Sequence, residues 1–103
     1  MKLWIDDVRP APADYYWIKS VNYAIQYITY VEGNAYWSGE VIELIDIDHD
    51  AGKYAIYGGD YIKLLDWLED TSRNYPIRIH SMNPVGVANM RAIIERNGWE
   101  EVV

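Results

Sequence analysis

Residues 41–50 read Val-Ile-Glu-Leu-Ile-Asp-Ile-Asp-His-Asp. Val41, Ile42, Leu44, Ile45 and Ile47 are mostly β-branched and nearly continuous. That is the pattern of a strand covered on both faces, as in a parallel sheet. The run stops in a polar burst, Asp48-His49-Asp50. The sequence therefore predicts a central strand over 41–48 with ionisable groups at its carboxyl end.

Towards the N-terminus, Lys2 to Ile5 is a short apolar strand ended by Asp6 and Asp7. Val8 to Trp17 holds Pro10 and Pro12 and reads as a loop. From Ser20, an N-cap residue, Val21, Ala24, Ile25 and Ile28 follow helical spacing, and Gly33 reads as the stop. Asn34 to Glu40 is either a loop or a short edge strand.

Towards the C-terminus, Gly52 to Gly59 reads as a loop. Asp60 is positioned to cap a helix carrying Tyr61, Leu64, Leu65 and Leu68. Ile77 to His80 is a strand. Asn83-Pro84 opens a helix that turns Val87, Met90 and Ile94 inward and ends at Gly98. Trp99 to Val103 is a candidate final strand. Alternating strands and helices imply βαβ units, hence one α/β domain over 1–103 with a short, mostly parallel sheet between helical layers. Ligands bind such sheets outside the carboxyl ends of the strands, where all the polar clusters fall.

The 103 residues carry a net charge of -7. An acidic surface repels a phosphate backbone, which argues against extended nucleic-acid binding but leaves a small phosphorylated ligand or a divalent cation open. There is no cysteine, so neither a disulfide framework nor a thiolate zinc site is available. No apolar run reaches membrane-spanning length, and no leader pattern is present. Both observations point to the cytoplasm without a membrane partner. Oligomeric state leaves no sequence signal. Phe is absent while there are 10 Tyr and 5 Trp, so bulky rings must fill much of the core.

Three constellations carry chemistry. Asp6, Asp7, Asp48 and Asp50 follow two strands and offer hard oxygen ligands for Mg²⁺ or Mn²⁺; the plain alternative is strand termination and turn capping. His49 and His80, the only histidines, both lie at strand ends, suited to general acid–base work or to structural hydrogen bonds. The segment His80-Ser81-Met82-Asn83-Pro84-Val85-Gly86 joins a strand end to a helix start. Ser81, Asn83 and the backbone at Gly86 can hold a phosphoryl group there, with Arg9 and Asn89 as further candidate ligands. Ordinary capping by Asn83 is compatible with that role.

The segments IDDVRP, DHDAG, GGDYIKLLDWL and HSMNPVGVANM together resemble the cyclic-phosphate-processing receiver-like family across nearly the whole chain. The resemblance implies a receiver-like, flavodoxin-like fold, with the sheet reduced by one strand–helix unit in so short a chain. Asp6 and Asp7 match the acidic pair of a receiver domain, Asp48 its phospho-accepting aspartate, and Ser81 its hydroxyl residue. The receiver's lysine has no counterpart in Trp99 to Val103, which counts against phospho-relay. The implied activity is phosphoesterase-type processing of a cyclic phosphate, on an RNA end or a small nucleotide. His49, His80 and Asp48 would be catalytic there. The alternative is a non-catalytic module that binds a phosphorylated ligand or a partner protein.

Overall fold

The computed structural model describes all of residues 1–103, and their elements run β1 (Lys2–Ile5), β2 (Tyr15–Ile18), α1 (Val21–Ser38), β3 (Leu44–Ile47), a 3₁₀ turn (Gly52–Tyr57), α2 (Ile62–Asp70), β4 (Ile77–Ile79) and α3 (Pro84–Asn97). All strand pairs are parallel, in the order β2-β1-β3-β4. Ile5 lies level with both Ile18 and Ile47, so three strands end together at one edge. This is the α/β, receiver-like architecture expected from the sequence.

Strand alternation sorts the side chains into two populations. Leu3, Ile5, Ile18, Ile45, Ile47 and Ile77 share one core cluster with the buried residues of all three helices. The intervening Trp4, Asp46, Arg78 and His80 point the other way. The crossovers explain this. β2 to β3, and then β3 to β4, advance in one direction across the sheet, and right-handed connections in one direction place their helices on one face. The β1 to β2 step runs backwards and carries no helix. Of the layers expected, the sheet and one helical layer are thus regular. The opposite face is covered in part by residues 6–14, where the Arg9 carbonyl accepts a hydrogen bond from Trp4 Nε1 at 2.8 Å.

Several local expectations are corrected. Tyr15 to Ile18 is a strand because the prolines lie upstream and the β-favouring side chains Tyr15, Tyr16 and Trp17 pair along β1. Gly33 does not stop α1; an isolated glycine weakens a helix by about 1 kcal/mol without ending it. The helix runs on through the ambiguous 34–38 stretch to Gly39, whose φ of 73° supplies the left-handed stop. β3 begins at Leu44, while Val41 is exposed and only its carbonyl is engaged, by the N-terminal ammonium. The 52–57 loop is a 3₁₀ turn. Asp60 does not cap α2: its carboxylate accepts the Ala51 amide instead, at 3.0 Å. His80 lies just past β4, although its amide still continues the ladder to the Ile47 carbonyl. The final strand is reduced to one bridge between Ile77 and Glu101.

Tyr61 is fully buried and does the packing work that a phenylalanine does elsewhere. Its hydroxyl donates to the Lys19 carbonyl at 2.8 Å, and its amide donates to the His49 carbonyl. The ring thereby ties the β2 end to the β3 end. Burial pushes its phenol well above the ordinary tyrosine value, with the charges of Asp7, Asp6 and Asp48 adding to the effect. Tyr61→Phe keeps the ring and orphans one carbonyl, which should lower stability by about 1–2 kcal/mol. Tyr61→Ala adds a cavity and should cost about 3–5 kcal/mol. Urea unfolding of both variants checks this; equal losses would contradict the assigned roles of ring and hydroxyl.

Candidate functional site

His80 is the centre of the site. Alternation along β4 sends its ring to the helix-free face, where it stacks on the Trp4 indole with centroids 3.8 Å apart and planes 3° from parallel. Nδ1 lies 2.6 Å from Asp46 Oδ1, and Nε2 lies 2.9 Å from Asp6 Oδ2. The imidazole is 8% exposed and both carboxylates are fully buried. Arg78 Nη1 donates to the second oxygen of Asp46 at 3.0 Å.

The charges explain why this cluster is tolerated. Buried carboxylates are costly unless paired and hydrogen-bonded. Asp46 has Arg78 on one oxygen. Asp6 Oδ1 accepts the amides of Val8 and Arg9, both at 2.9 Å. Burial pushes the Asp6 carboxyl up, but those two amides and the His80 imidazole more than offset it and hold the group below the ordinary carboxylate value. Ionised carboxylates only accept hydrogen bonds, so both ring nitrogens must donate. His80 is therefore an imidazolium, and Asp6, Asp46, His80 and Arg78 balance to zero net charge.

Asp48, at the end of β3, accepts the His49 amide at 2.7 Å. Ligand atoms of Asp6, Asp48 and His80 all lie within 4.8 Å of one another. Two carboxylates at this spacing suit a hard divalent cation, which would compete with His80 for Asp6 Oδ2. Asp7 turns aside against Gly52, where a Cβ would stand 2.4 Å from Asp7 Oδ2; with φ at 55°, glycine is the fitting residue.

His49 is held differently. Its Nδ1 lies 2.7 Å from Asp50 Oδ1, and that hydrogen bond is the main cause holding the Asp50 carboxyl below its ordinary value. Nδ1 is therefore the protonated nitrogen in the neutral ring. Nε2 has no protein partner and, since no buried side-chain polar atom lacks one, it reaches solvent. The ring lies on Gly86, where a Cβ would stand 2.5 Å from His49 Cγ. Asp50, expected among metal ligands, sits apart from Asp6, Asp48 and His80, in a second group with His49 and Asp60.

The remaining predicted residues divide. Arg9 Nη1 donates to the His80 carbonyl at 3.0 Å, so it sits at the cluster. Ser81 Oγ accepts the Asn83 amide at 3.1 Å, and Asn83 Oδ1 caps α3 through the Gly86 amide at 3.0 Å. The Asn83 side-chain nitrogen also lies 3.4 Å from Asp50 Oδ1. Asn89 is exposed and hydrogen-bonds none of these groups. Sequence reading passed over Asp46, Trp4 and Arg78. Asp46 had a usable signal: a lone carboxylate inside an apolar strand needs a buried partner. Trp4 and Arg78 had none, since either side chain is ordinary in a short strand.

Two outcomes follow from this geometry. Gly86→Ala should strengthen α3 yet displace the His49 ring, changing the His49 imidazole NMR resonances while those of His80 stay in place. Unmoved His49 signals would contradict the contact. Because the Asp6 carboxyl is depressed in the folded state, its contribution is present above the ordinary value of 3.8 and is lost as pH falls through the depressed one. Glu69, held at about 2 by Arg96, adds a loss in the same direction. Acid unfolding of Asp6→Asn should therefore show a weaker pH dependence below pH ~4 than the parent; parallel curves would contradict it.

No curated protein and no solved structure matches the chain. One family model does, that of the cyclic-phosphate processing Receiver domain, over residues 1–96. The match takes in both strand-end carboxylates, both histidines and the start of α3. By that match the chain belongs to the cyclic-phosphate processing receiver domain family.

Proposed function

We propose that this domain is a phosphoesterase that opens a cyclic phosphate, with a 2′,3′-cyclic end on a nucleotide or RNA as substrate. The observation that carries the reading is the contrast between the two histidines at one sheet edge. His49 presents a free basic Nε2, oriented through Asp50. His80 is a protonated ring held between Asp6 and Asp46. A base and an acid of this kind are what ring opening needs.

In the proposed reaction His49 Nε2 takes a proton from the attacking water. The water oxygen bonds to phosphorus, one cyclic P–O bond breaks, and the departing ribose oxygen receives the proton held by the Asp6–His80 unit. The product is a phosphomonoester with a free hydroxyl. Exchange with solvent restores both histidines. Asp46 is a positioning residue that fixes the His80 ring. Arg9 and the hydroxyl of Ser81 approach the phosphoryl oxygens at the start of α3, where the helix dipole favours negative charge. Asp6 and Asp48 would hold Mg²⁺ or Mn²⁺, which would supply further charge neutralisation at the phosphoryl group.

Hydrolysis of a panel of nucleoside 2′,3′-cyclic phosphates, with and without Mn²⁺, tests this reading. His49→Ala and His80→Ala should each lower turnover by about 10²–10⁴-fold. Asp46→Asn should lower kcat with little change in KM. Absence of turnover across the panel would contradict the proposal. So would beryllofluoride with Mg²⁺ binding at Asp48 in a protein that hydrolyses nothing, which would favour the binding-module alternative.

A further inference from the structure

Trp17, Lys19, Ser20, Tyr23, Tyr54 and Tyr57 line a cleft of about 390 Å³. Its size falls within the usual range for small-molecule sites. It stands at the same carboxyl edge, between the end of β2 and the 3₁₀ turn after β3. Its link to the acid–base cluster is direct: Trp17 Nε1 donates to the Asp6 carbonyl at 2.7 Å. Tyr57 is 52% exposed and Tyr23 41%, so these rings are open to solvent.

The chemistry of the lining narrows the occupant. In a chain of net charge -7, the one charged lining residue is a lysine. Its ammonium lies 4.5 Å from the Trp17 ring centre and 5.9 Å from that of Tyr54. That cation repels a cationic ligand and suits an anion, and the exposed Tyr57 ring of the same lining is open to a flat partner. Aromatic faces accept any nucleobase, since each base has a π-face.

We infer that this cleft is a nucleobase subsite: it stacks the base of a nucleoside cyclic phosphate whose phosphoryl group lies at Asp48 and Arg9. The inference rests on the proposed phosphoesterase reading for its second half and selects nucleotides over simple cyclic phosphate esters. Base identity is read loosely, because stacking tolerates every base.

Titration calorimetry with three probes tests it: adenosine, adenosine 2′,3′-cyclic phosphate, and methyl riboside 2′,3′-cyclic phosphate, which has no base. The cyclic nucleotide should bind about 5- to 140-fold more tightly than the baseless ester, the range expected for one stacked base. Tyr54→Ala and the exposed Tyr57→Ala should each weaken the cyclic nucleotide and adenosine while leaving the baseless ester unchanged. Equal affinity for the two cyclic esters, or nucleotide affinity untouched by both substitutions, overturns the subsite. Adenosine binding that is lost in Tyr54→Ala, in a protein that hydrolyses no cyclic phosphate, would uphold the base site and sink the phosphoesterase reading. Equal hydrolysis of both cyclic esters with the same KM would do the reverse.

Discussion

The site depends on how the charge of Asp46 is buried in the middle of the central strand. A fully buried carboxylate at that position needs strong compensation, because removing it from water without a partner costs several kcal/mol. The compensation comes from β4: Arg78 takes one oxygen and His80 the other. Both lie on the same face because they are two positions apart along the chain, with only Ile79 between them. Asp46 is also level with Arg78 in the β3–β4 register, and with Trp4 in the β1–β3 register. The indole that covers His80 and the cation that pairs Asp46 are therefore placed by ladder geometry alone.

That arrangement is compatible with the topology only because one face of the sheet bears no helix. The three helices pack against the aliphatic face, which leaves the other face free for polar side chains. The 6–14 segment, which joins β1 to β2 without a helix, folds across that end. Its Arg9 accepts from Trp4 at the carbonyl and donates to the His80 carbonyl from the guanidinium. The same segment supplies the amides that hold Asp6 ionised. A single short connection thus orders the acidic strand end, the covering indole and the Arg9 guanidinium.

Much of the architecture was legible in the sequence. The aliphatic run of β3, the capped start of α3 at Asn83-Pro84 and the polar strand ends each follow from local rules that tertiary packing did not override. The misreadings have physical causes. Gly33 looked like a stop, but a glycine ends a helix only where the chain must turn left-handed, and that turn falls at Gly39. Pro10 and Pro12 hid β2, although a proline disfavours pairing only at its own position. Asp48 and both histidines were legible as candidates because each follows a strand. Asp46 was missed because it sits within a strand, where a carboxylate acquires meaning only through partners distant in sequence. Arg78 and His80 lie 32 and 34 residues away.

The central claim is that His80 is a doubly protonated ring clamped between two ionised carboxylates, while His49 is oriented through Asp50 and leaves Nε2 without a protein partner. With only two histidines in the chain, imidazole ¹⁵N NMR at neutral pH separates them after one substitution. The account predicts that both His80 nitrogens carry protons, and that Asp46→Asn abolishes this pattern. A His80 ring with a bare, solvent-exchanging nitrogen in the parent protein would contradict the account.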